Sequence, residues 1–189
     1  MSDILLLHSA LGLRPAVTQF ADLLRAGGHT VYTPDFYHGI VFEDSAQGLA
    51  HRDEVGAREL FARVRVGLSQ APDNAVLAGF SLGAAFAQRL AGDRPKARAV
   101  VLMHSVAAPR GGWSGQPVQL HRYETDPFID EADVQTLGAA VRASGASFQD
   151  IVVAGRGHLF TDLDSPDGDR RARDASAQHI LELLDRAPV

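Results

Sequence analysis

Short apolar runs alternate with amphipathic segments along the chain, and this alternation predicts strands separated by helices. Residues 3–8 and 97–103 are nearly continuous apolar runs, as expected for strands buried on both faces of a sheet. Shorter runs predict further strands at 29–33, 75–78, 118–123 and 148–154. The pattern therefore predicts an α/β protein with a mostly parallel six-stranded sheet and helices on both faces.

Helical periodicity is found between the predicted strands. Pro15 lies in the first turn of one helix, which ends at Gly27. The spacing of apolar residues in 49–70 predicts one long amphipathic helix. Further helices are predicted at 82–90, 131–144 and 169–186, and the length of the chain indicates a single domain over 1–189.

Composition and charge restrict the classes of function. A net charge of −5 argues against nucleic acid or an anionic membrane as a partner, and no apolar run is long enough to span a bilayer. The chain has no cysteine, which excludes disulfides, thiolate metal sites and cysteine nucleophiles. We expect a cytoplasmic protein without cofactor or metal, and the sequence does not indicate its oligomeric state.

A Gly-x-Ser-x-Gly pattern, Gly79-Phe80-Ser81-Leu82-Gly83, lies between the predicted strand 75–78 and the helix that follows it. A tight strand-to-helix turn strains its central residue and crowds the positions two before and two after it, which glycine relieves. We therefore predict Ser81 as a nucleophile at the tip of this turn. The alternative is a serine that serves only the turn.

A serine hydroxyl needs a base to accept its proton, and a histidine oriented by a carboxylate is the usual solution. His158 follows the last predicted strand, at the edge of the sheet where Ser81 and ligands of such sheets are expected. His38, in a loop at the same edge, is the alternative base. His104 is interpreted as a polar residue at a strand end.

The best candidate for the orienting carboxylate is Asp126, in the loop just past the strand predicted at 118–123. The order Ser81, Asp126, His158 along the chain is the order found in α/β-hydrolases. Glu124 and Asp130 are the competing acids, although Asp130 is better placed to cap the helix predicted at 131–144.

A developing oxyanion needs preorganised donors, and backbone N–H groups supply them without any demand on side chains. We expect the N–H of Leu82 to be one donor and that of Ala10 the second, with Leu11 as the alternative. The substrate pocket is predicted to be formed by apolar residues on the loops at the same edge, namely Leu11, Phe36, Tyr37, Phe80, Trp113, Phe128 and Phe160.

These segments resemble the dienelactone hydrolase family of α/β-hydrolases over nearly the whole chain. The resemblance rests on the Gly79–Gly83 turn, on Tyr32-Thr33-Pro34-Asp35-Phe36-Tyr37, on Asp126-Pro127-Phe128 and on Gly157-His158-x-Phe160. It implies a minimal α/β-hydrolase fold, without the first two strands and without a large lid. It also implies hydrolysis of a small-molecule ester or lactone with no cofactor.

The chain departs from the family prototype at three positions. Ser81 stands where the prototype has its cysteine nucleophile, and Ser9 where it has a partner glutamate. Asp162 replaces an arginine that holds the substrate carboxylate, and an aspartate there is expected to repel one. This departure at Asp162 disfavours dienelactone itself and favours a neutral ester or thioester.

The sequence thus predicts a serine-dependent carboxylic ester hydrolase. The same residues are compatible with two alternatives. One is an acyltransferase or lyase on the same fold, and the other is a non-catalytic binding module that retains the turn only as architecture.

Overall fold

All six strands of the sheet are parallel to their neighbours. The computed structural model describes residues 1–186, so the last three residues of the predicted domain 1–189 lie outside the described residues. In chain order the strands are β1 at Asp3–Leu7, β2 at Thr30–Tyr32, β3 at Val76–Phe80, β4 at Val100–Met103, β5 at Val118–Thr125 and β6 at Phe148–Arg156. Across the sheet their order is β2-β1-β3-β4-β5-β6, which is the predicted α/β architecture.

Helices cover both faces of the sheet. One face is covered by α1 (Pro15–Ala26) and α6 (Arg170–Arg186). The other is covered by α3 (Ala57–Gly67), α4 (Leu82–Asp93) and α5 (Glu131–Ala143), while α2 (Ser45–Val55) packs against α3. Within residues 1–186, no helix combines the length and the apolar character needed to cross a bilayer.

The central strands are apolar throughout because both of their faces are buried. In β1, Leu5 and Leu7 pack into the layer formed with α3 and α4, whereas Ile4 and Leu6 pack into the layer formed with α1 and α6. All four side chains are fully buried. The continuous apolar run that predicted a doubly covered strand therefore has its physical reason in these two layers.

The strand order reverses between β1 and β3. From β1 the chain first adds β2 on one side and then returns to add β3 on the other side. The loops that leave the carboxyl ends of β1 and β3 therefore diverge, and a crevice forms between them. Ser81 lies at this crevice, directly after β3.

The prediction of one helix over 49–70 is wrong. The structure has two helices, α2 and α3, separated at Gly56, and a single 3-10 turn at Leu68–Gln70. Gly56 has φ +85°, a left-handed conformation that breaks the helix and that glycine adopts without strain. Apolar spacing missed the break because Val55 and Leu60, on either side of it, both reach the same core.

Candidate active site

Ser81 occupies the turn between β3 and α4. Its backbone is in a strained conformation (φ 49°, ψ −109°), and its N–H donates to the carbonyl of Met103 at 2.7 Å. A side chain on Gly79 would collide with the backbone of Gly83, and one on Gly83 would collide with the carbonyl of Leu7. The two glycines of the sequence pattern are therefore required by the close approach of β3, α4 and β1.

His158 reaches Ser81 from the loop after β6. The Ser81 hydroxyl donates to Nε2 of His158 at 2.9 Å. The loop is held by the His158 N–H, which donates to Oδ2 of Asp167 at 2.9 Å. Gly157 is needed beside it, because a Cβ there would lie 2.7 Å from the ring of Tyr123. The alternative base, His38, is exposed in its loop and makes no contact with Ser81.

Asp126 accepts a hydrogen bond from the Nδ1–H of His158. Both carboxylate oxygens lie 2.9 Å from Nδ1, and the carboxylate is buried. An N–H at Nδ1 leaves Nε2 free to accept the serine proton, so this arrangement selects the tautomer that a base requires. The competing acids lie elsewhere. Glu124 is exposed at the end of β5, and Asp130 caps α5 by accepting from the N–H of Ala132.

Two backbone N–H groups of residues that line the same cavity as Ser81 have no internal acceptor among the described residues. Neither the N–H of Leu82, at the start of α4, nor that of Ala10, after β1, donates a hydrogen bond within residues 1–186. The N–H of Leu11 is already used, since it donates to Oγ of Ser9 at 3.1 Å. Ala10 is thus better suited than Leu11 as the second donor.

A cavity of about 230 Å³, here called the Ser81 cavity, opens over these groups. Its lining includes Ser81, His158, Leu11 and Phe128, so two of the predicted pocket residues belong to it. The ring of Phe128 lies 4.5 Å from that of His158 and is 56 % exposed, which leaves it free to contact a ligand. A larger cavity of about 730 Å³ lies between β5, β6 and α6 and contains none of these residues.

The other five predicted pocket residues do not line the Ser81 cavity. Phe36, Tyr37, Phe80 and Phe160 are buried in the core, and Trp113 lines a different cavity. Phe36, for example, stacks on the ring of His8 at 3.6 Å. Large aromatic side chains on short loops gain more from burial under the loop than from exposure at the edge, which the position in sequence alone does not reveal.

His104 and Arg52 line the Ser81 cavity but were not predicted as site residues, and His104 was interpreted only as a polar residue at a strand end. His104 follows β4, has φ +66° and is fully buried, and burial lowers its pKa well below its ordinary value. Its position at the carboxyl end of a central strand was the signal that could have identified it. Arg52 was not recognised because it lies in the stretch 49–70, which was predicted as one long helix. Its guanidinium pairs with Asp53 at 2.7 Å.

Asp162 lies outside the Ser81 cavity, which corrects the expectation that it repels a substrate carboxylate. Its carboxylate is buried and lies 3.5 Å from the guanidinium of Arg14. Burial raises the pKa of Asp162, and the Arg14 charge opposes that rise. The residue therefore serves an internal ion pair, so its charge gives no argument about the substrate.

The Ser81, His158 and Asp126 side chains form one hydrogen-bonded chain, and such a chain can move the hydroxyl proton to the imidazole. Within residues 1–186, no group of three or more His, Asp and Glu side chains is arranged to hold a metal ion.

Comparison with known proteins agrees with this architecture. The structure is similar to a dienelactone hydrolase-like promiscuous phosphotriesterase from metagenomic libraries, with a TM-score of 0.77 and 19 % identity over 99 % of this chain and 87 % of that one. It is also similar to m3DLH (TM-score 0.78, 18 % identity, 100 % and 87 % covered). A carboxylesterase from Bacillus cereus has a TM-score of 0.62 at 16 % identity, with 96 % and 89 % covered.

No curated protein sequence matches the chain. The sequence model of the dienelactone hydrolase family, in contrast, matches residues 2–187. The chain therefore belongs to the dienelactone hydrolase family and is a hydrolase with the α/β-hydrolase fold.

Proposed function

We propose that this chain hydrolyses carboxylic esters or lactones through an acyl-enzyme on Ser81. The proposal is carried by one observation, the chain of 2.9 Å hydrogen bonds from the Ser81 hydroxyl through His158 to the buried Asp126. The free N–H groups beside it add support, because they supply donors where negative charge develops in acyl transfer.

In the proposed acylation step, Oγ of Ser81 attacks the acyl carbon while its proton passes to Nε2 of His158. The carbonyl oxygen becomes an oxyanion and accepts hydrogen bonds from the N–H groups of Leu82 and Ala10. When the oxyanion collapses, the bond to the leaving alcohol breaks and His158 gives its proton to that alcohol. Asp126 keeps Nδ1 protonated and stabilises the imidazolium that forms in between.

Deacylation repeats these roles with water. A water molecule attacks the acyl carbon and gives a proton to His158, the bond to Oγ breaks, and the proton returns to Ser81. The products are the free acid and the unchanged enzyme, so the sequence of steps balances without any cofactor.

The substrate we propose has a small, neutral acyl group. A volume of about 230 Å³ is below the usual range for pockets that hold drug-sized ligands. Leu11, Leu49, Phe128 and Leu159 give the lining much of its apolar surface. Among the described residues, Arg52 alone brings a guanidinium to this lining, and because it is already paired with Asp53, it does not require a carboxylate on the acyl side.

The test is turnover of p-nitrophenyl acetate and labelling by a fluorophosphonate, followed by mass spectrometry of the labelled peptide. We expect wild-type protein to be labelled on Ser81, and Ser81→Ala to lose labelling and roughly 10⁴-fold or more of kcat. The control is Ser69→Ala, an exposed serine on the 3-10 turn, which we expect to keep both properties.

The outcomes separate the alternatives. Full activity in folded Ser81→Ala would remove the proposed mechanism. Failure of wild-type protein to be labelled or to turn over esters would favour a binding module. Product analysis with a competing alcohol distinguishes hydrolysis from acyl transfer, because a transferase yields the new ester in place of the acid.

A further inference from the structure

We propose that a second cavity next to the Ser81 cavity binds a phosphate monoester or phosphonate group carried on one arm of the substrate. This α4 cavity, of about 350 Å³, lies between α4 and the loop 105–117. Its connection to catalysis rests on the proposed function, whereas the binding of the anion itself is independent of it.

The two cavities adjoin along α4. Ala85, one turn after Ser81, lines both of them, and Arg89, one further turn along, lines the α4 cavity. At a rise of about 1.5 Å per residue, Arg89 lies about 12 Å along the helix from Ser81. A substrate arm of about ten bonds spans that distance, so one molecule can have its acyl carbon at Ser81 and an anion at Arg89.

The charges in the α4 cavity favour an anion. Arg89 and Arg110 both line it, and among the described residues no carboxylate belongs to its lining. Within residues 1–186, neither arginine has an ion-pair partner, although the protein as a whole carries a net charge of −5. The guanidinium of Arg89 lies 3.9 Å over the ring of Phe61, which orients the group and leaves its N–H donors available.

Gln116 adds a buried acceptor to the same cavity. The side chain is 2 % exposed, and its amide nitrogen donates to the carbonyls of Ala91 and Arg94, each at 3.1 Å. Its Oε1 has no partner within the described part of the chain. A buried acceptor of this kind favours a ligand with a donor. A phosphonate monoanion has both features, because it is charged and keeps one O–H, and so has a phosphate monoester below its second pKa of about 6.

The loop that completes the α4 cavity is fixed in place. Gln88 of α4 donates to the carbonyl of Ala107 at 2.6 Å and accepts from its N–H at 3.1 Å. The indole N–H of Trp113 donates to the carbonyl of Gln116 at 2.7 Å. The guanidinium of Arg89, the amide of Gln116 and the indole of Trp113 are therefore positioned by the fold before any ligand arrives.

Trp113 makes the proposal directly measurable, because it is the only tryptophan in the chain and lines the α4 cavity. Titration of the protein with decylphosphonate is expected to change the Trp113 fluorescence saturably. Methylphosphonate, which has the anion without the arm, is expected to bind more weakly. Binding should weaken as salt is added, because the contact is electrostatic.

Variants test the arginines. Arg89→Gln and Arg110→Gln are each expected to weaken decylphosphonate binding about tenfold, whereas Arg171→Gln, the same change on an exposed residue of α6, leaves it unchanged. Thermal melts verify that each variant is folded. The anion site would be overturned if the titration of wild-type protein did not saturate. It would also be overturned if the folded Arg89→Gln and Arg110→Gln variants bound decylphosphonate as tightly as wild type.

The link to Ser81 has its own readout. Decylphosphonate is expected to inhibit p-nitrophenyl acetate hydrolysis competitively, and the inhibition is expected to weaken in Arg89→Gln in step with binding. Saturable binding without competition would overturn the link. If the protein showed no esterase activity, the fluorescence titration of wild-type protein and of Ser81→Ala would still test the anion site. Failure of the anion site can therefore be distinguished from failure of the proposed function.

Discussion

Nε2 of His104 lies 2.8 Å from Oγ1 of Thr161, and this hydrogen bond joins the strand end beside Ser81 to the loop that carries His158. Both side chains are buried, and Nδ1 of His104 has no partner within the described residues. Burial, and to a smaller extent the nearby His158 and His121, lower the pKa of His104 well below its ordinary value. His104 is therefore neutral at neutral pH and places no positive charge beside His158.

We predict that Thr161→Val lowers kcat for ester hydrolysis several-fold while KM changes little. Valine keeps the shape of threonine but removes the hydroxyl that bonds His104. The loop after β6 therefore loses its hydrogen bond to the end of β4. The lost hydrogen bond should also lower the free energy of unfolding by about 1–3 kcal/mol.

Steady-state kinetics and urea unfolding measure the two effects. Thr161→Ser keeps the hydroxyl and is expected to restore most of kcat, and Thr18→Val, on the exposed face of α1, serves as the control. An unchanged kcat in Thr161→Val would show that the hydrogen bond between Thr161 and His104 does not position His158.

Asp126→Asn is expected to lower kcat by roughly 10⁴-fold while the protein stays folded, because an amide cannot hold His158 in the tautomer that accepts the serine proton. The matched control is Asp130→Asn, the same change a few residues along. Asp130 only caps α5, and asparagine caps a helix about as well as aspartate, so activity and stability should remain. Comparable losses in both variants would mean that Asp126 acts through the structure of the loop.

Much of the fold and the central part of the site could be predicted because local sequence carries them. Apolar runs buried on both faces predicted the parallel sheet, and the glycines of the turn follow from backbone collisions that any such turn creates. Ser81, Asp126 and His158 were found by their places after predicted strands, and the structure joins them by hydrogen bonds.

The pocket walls and the break at Gly56 could not be predicted, because both depend on distant parts of the chain. Whether Phe36 turns towards the core or the cavity is decided by its packing on His8, 28 residues earlier. Arg52 and Ala85 likewise reach their cavities through the placement of whole helices. Periodicity reports one face of one helix and contains no information on what another element leaves uncovered.

Gly83→Ala is predicted to be strongly destabilising, whereas Gly92→Ala in the same helix is not. A Cβ on Gly83 would collide with the carbonyls of Leu7 and His8, so α4 could not keep its distance from β1. We expect Gly83→Ala to lower the free energy of unfolding by about 3 kcal/mol or more, as severe overpacking does. Beyond its own helix backbone and chain neighbours, a Cβ on Gly92 would meet no atom of residues 1–186 within 4 Å, and alanine there should raise the free energy of unfolding by about 0.5–1 kcal/mol.

Urea unfolding monitored by Trp113 fluorescence and circular dichroism measures both changes. Equal stability of the two variants would contradict the close packing of α4 on β1. Because the collision involves backbone atoms, substitutions of neighbouring side chains are not expected to rescue Gly83→Ala.

The protein is predicted to lose stability on mild acidification because several of its histidines are buried in the neutral form. Burial lowers the pKa of His8 to about 4 and that of His121 to about 3. In the unfolded chain both groups bind protons near their ordinary value of 6.5, so below that pH the unfolded state carries more protons than the folded state. Their contribution to stability is therefore complete above 6.5 and is lost as the pH falls towards the folded values.

Between about pH 6.5 and pH 5 each of these histidines is expected to lower the free energy of unfolding by up to about 2 kcal/mol. Urea unfolding at a series of pH values measures the slope of the free energy of unfolding against pH. His121→Gln should reduce that slope by the contribution of one histidine, because glutamine does not titrate. Glutamine can still form a hydrogen bond with Ser176 or Gln119, so the fold is expected to be kept. A wild-type stability that is flat across this window would show that His8 and His121 are not held in the neutral form by burial.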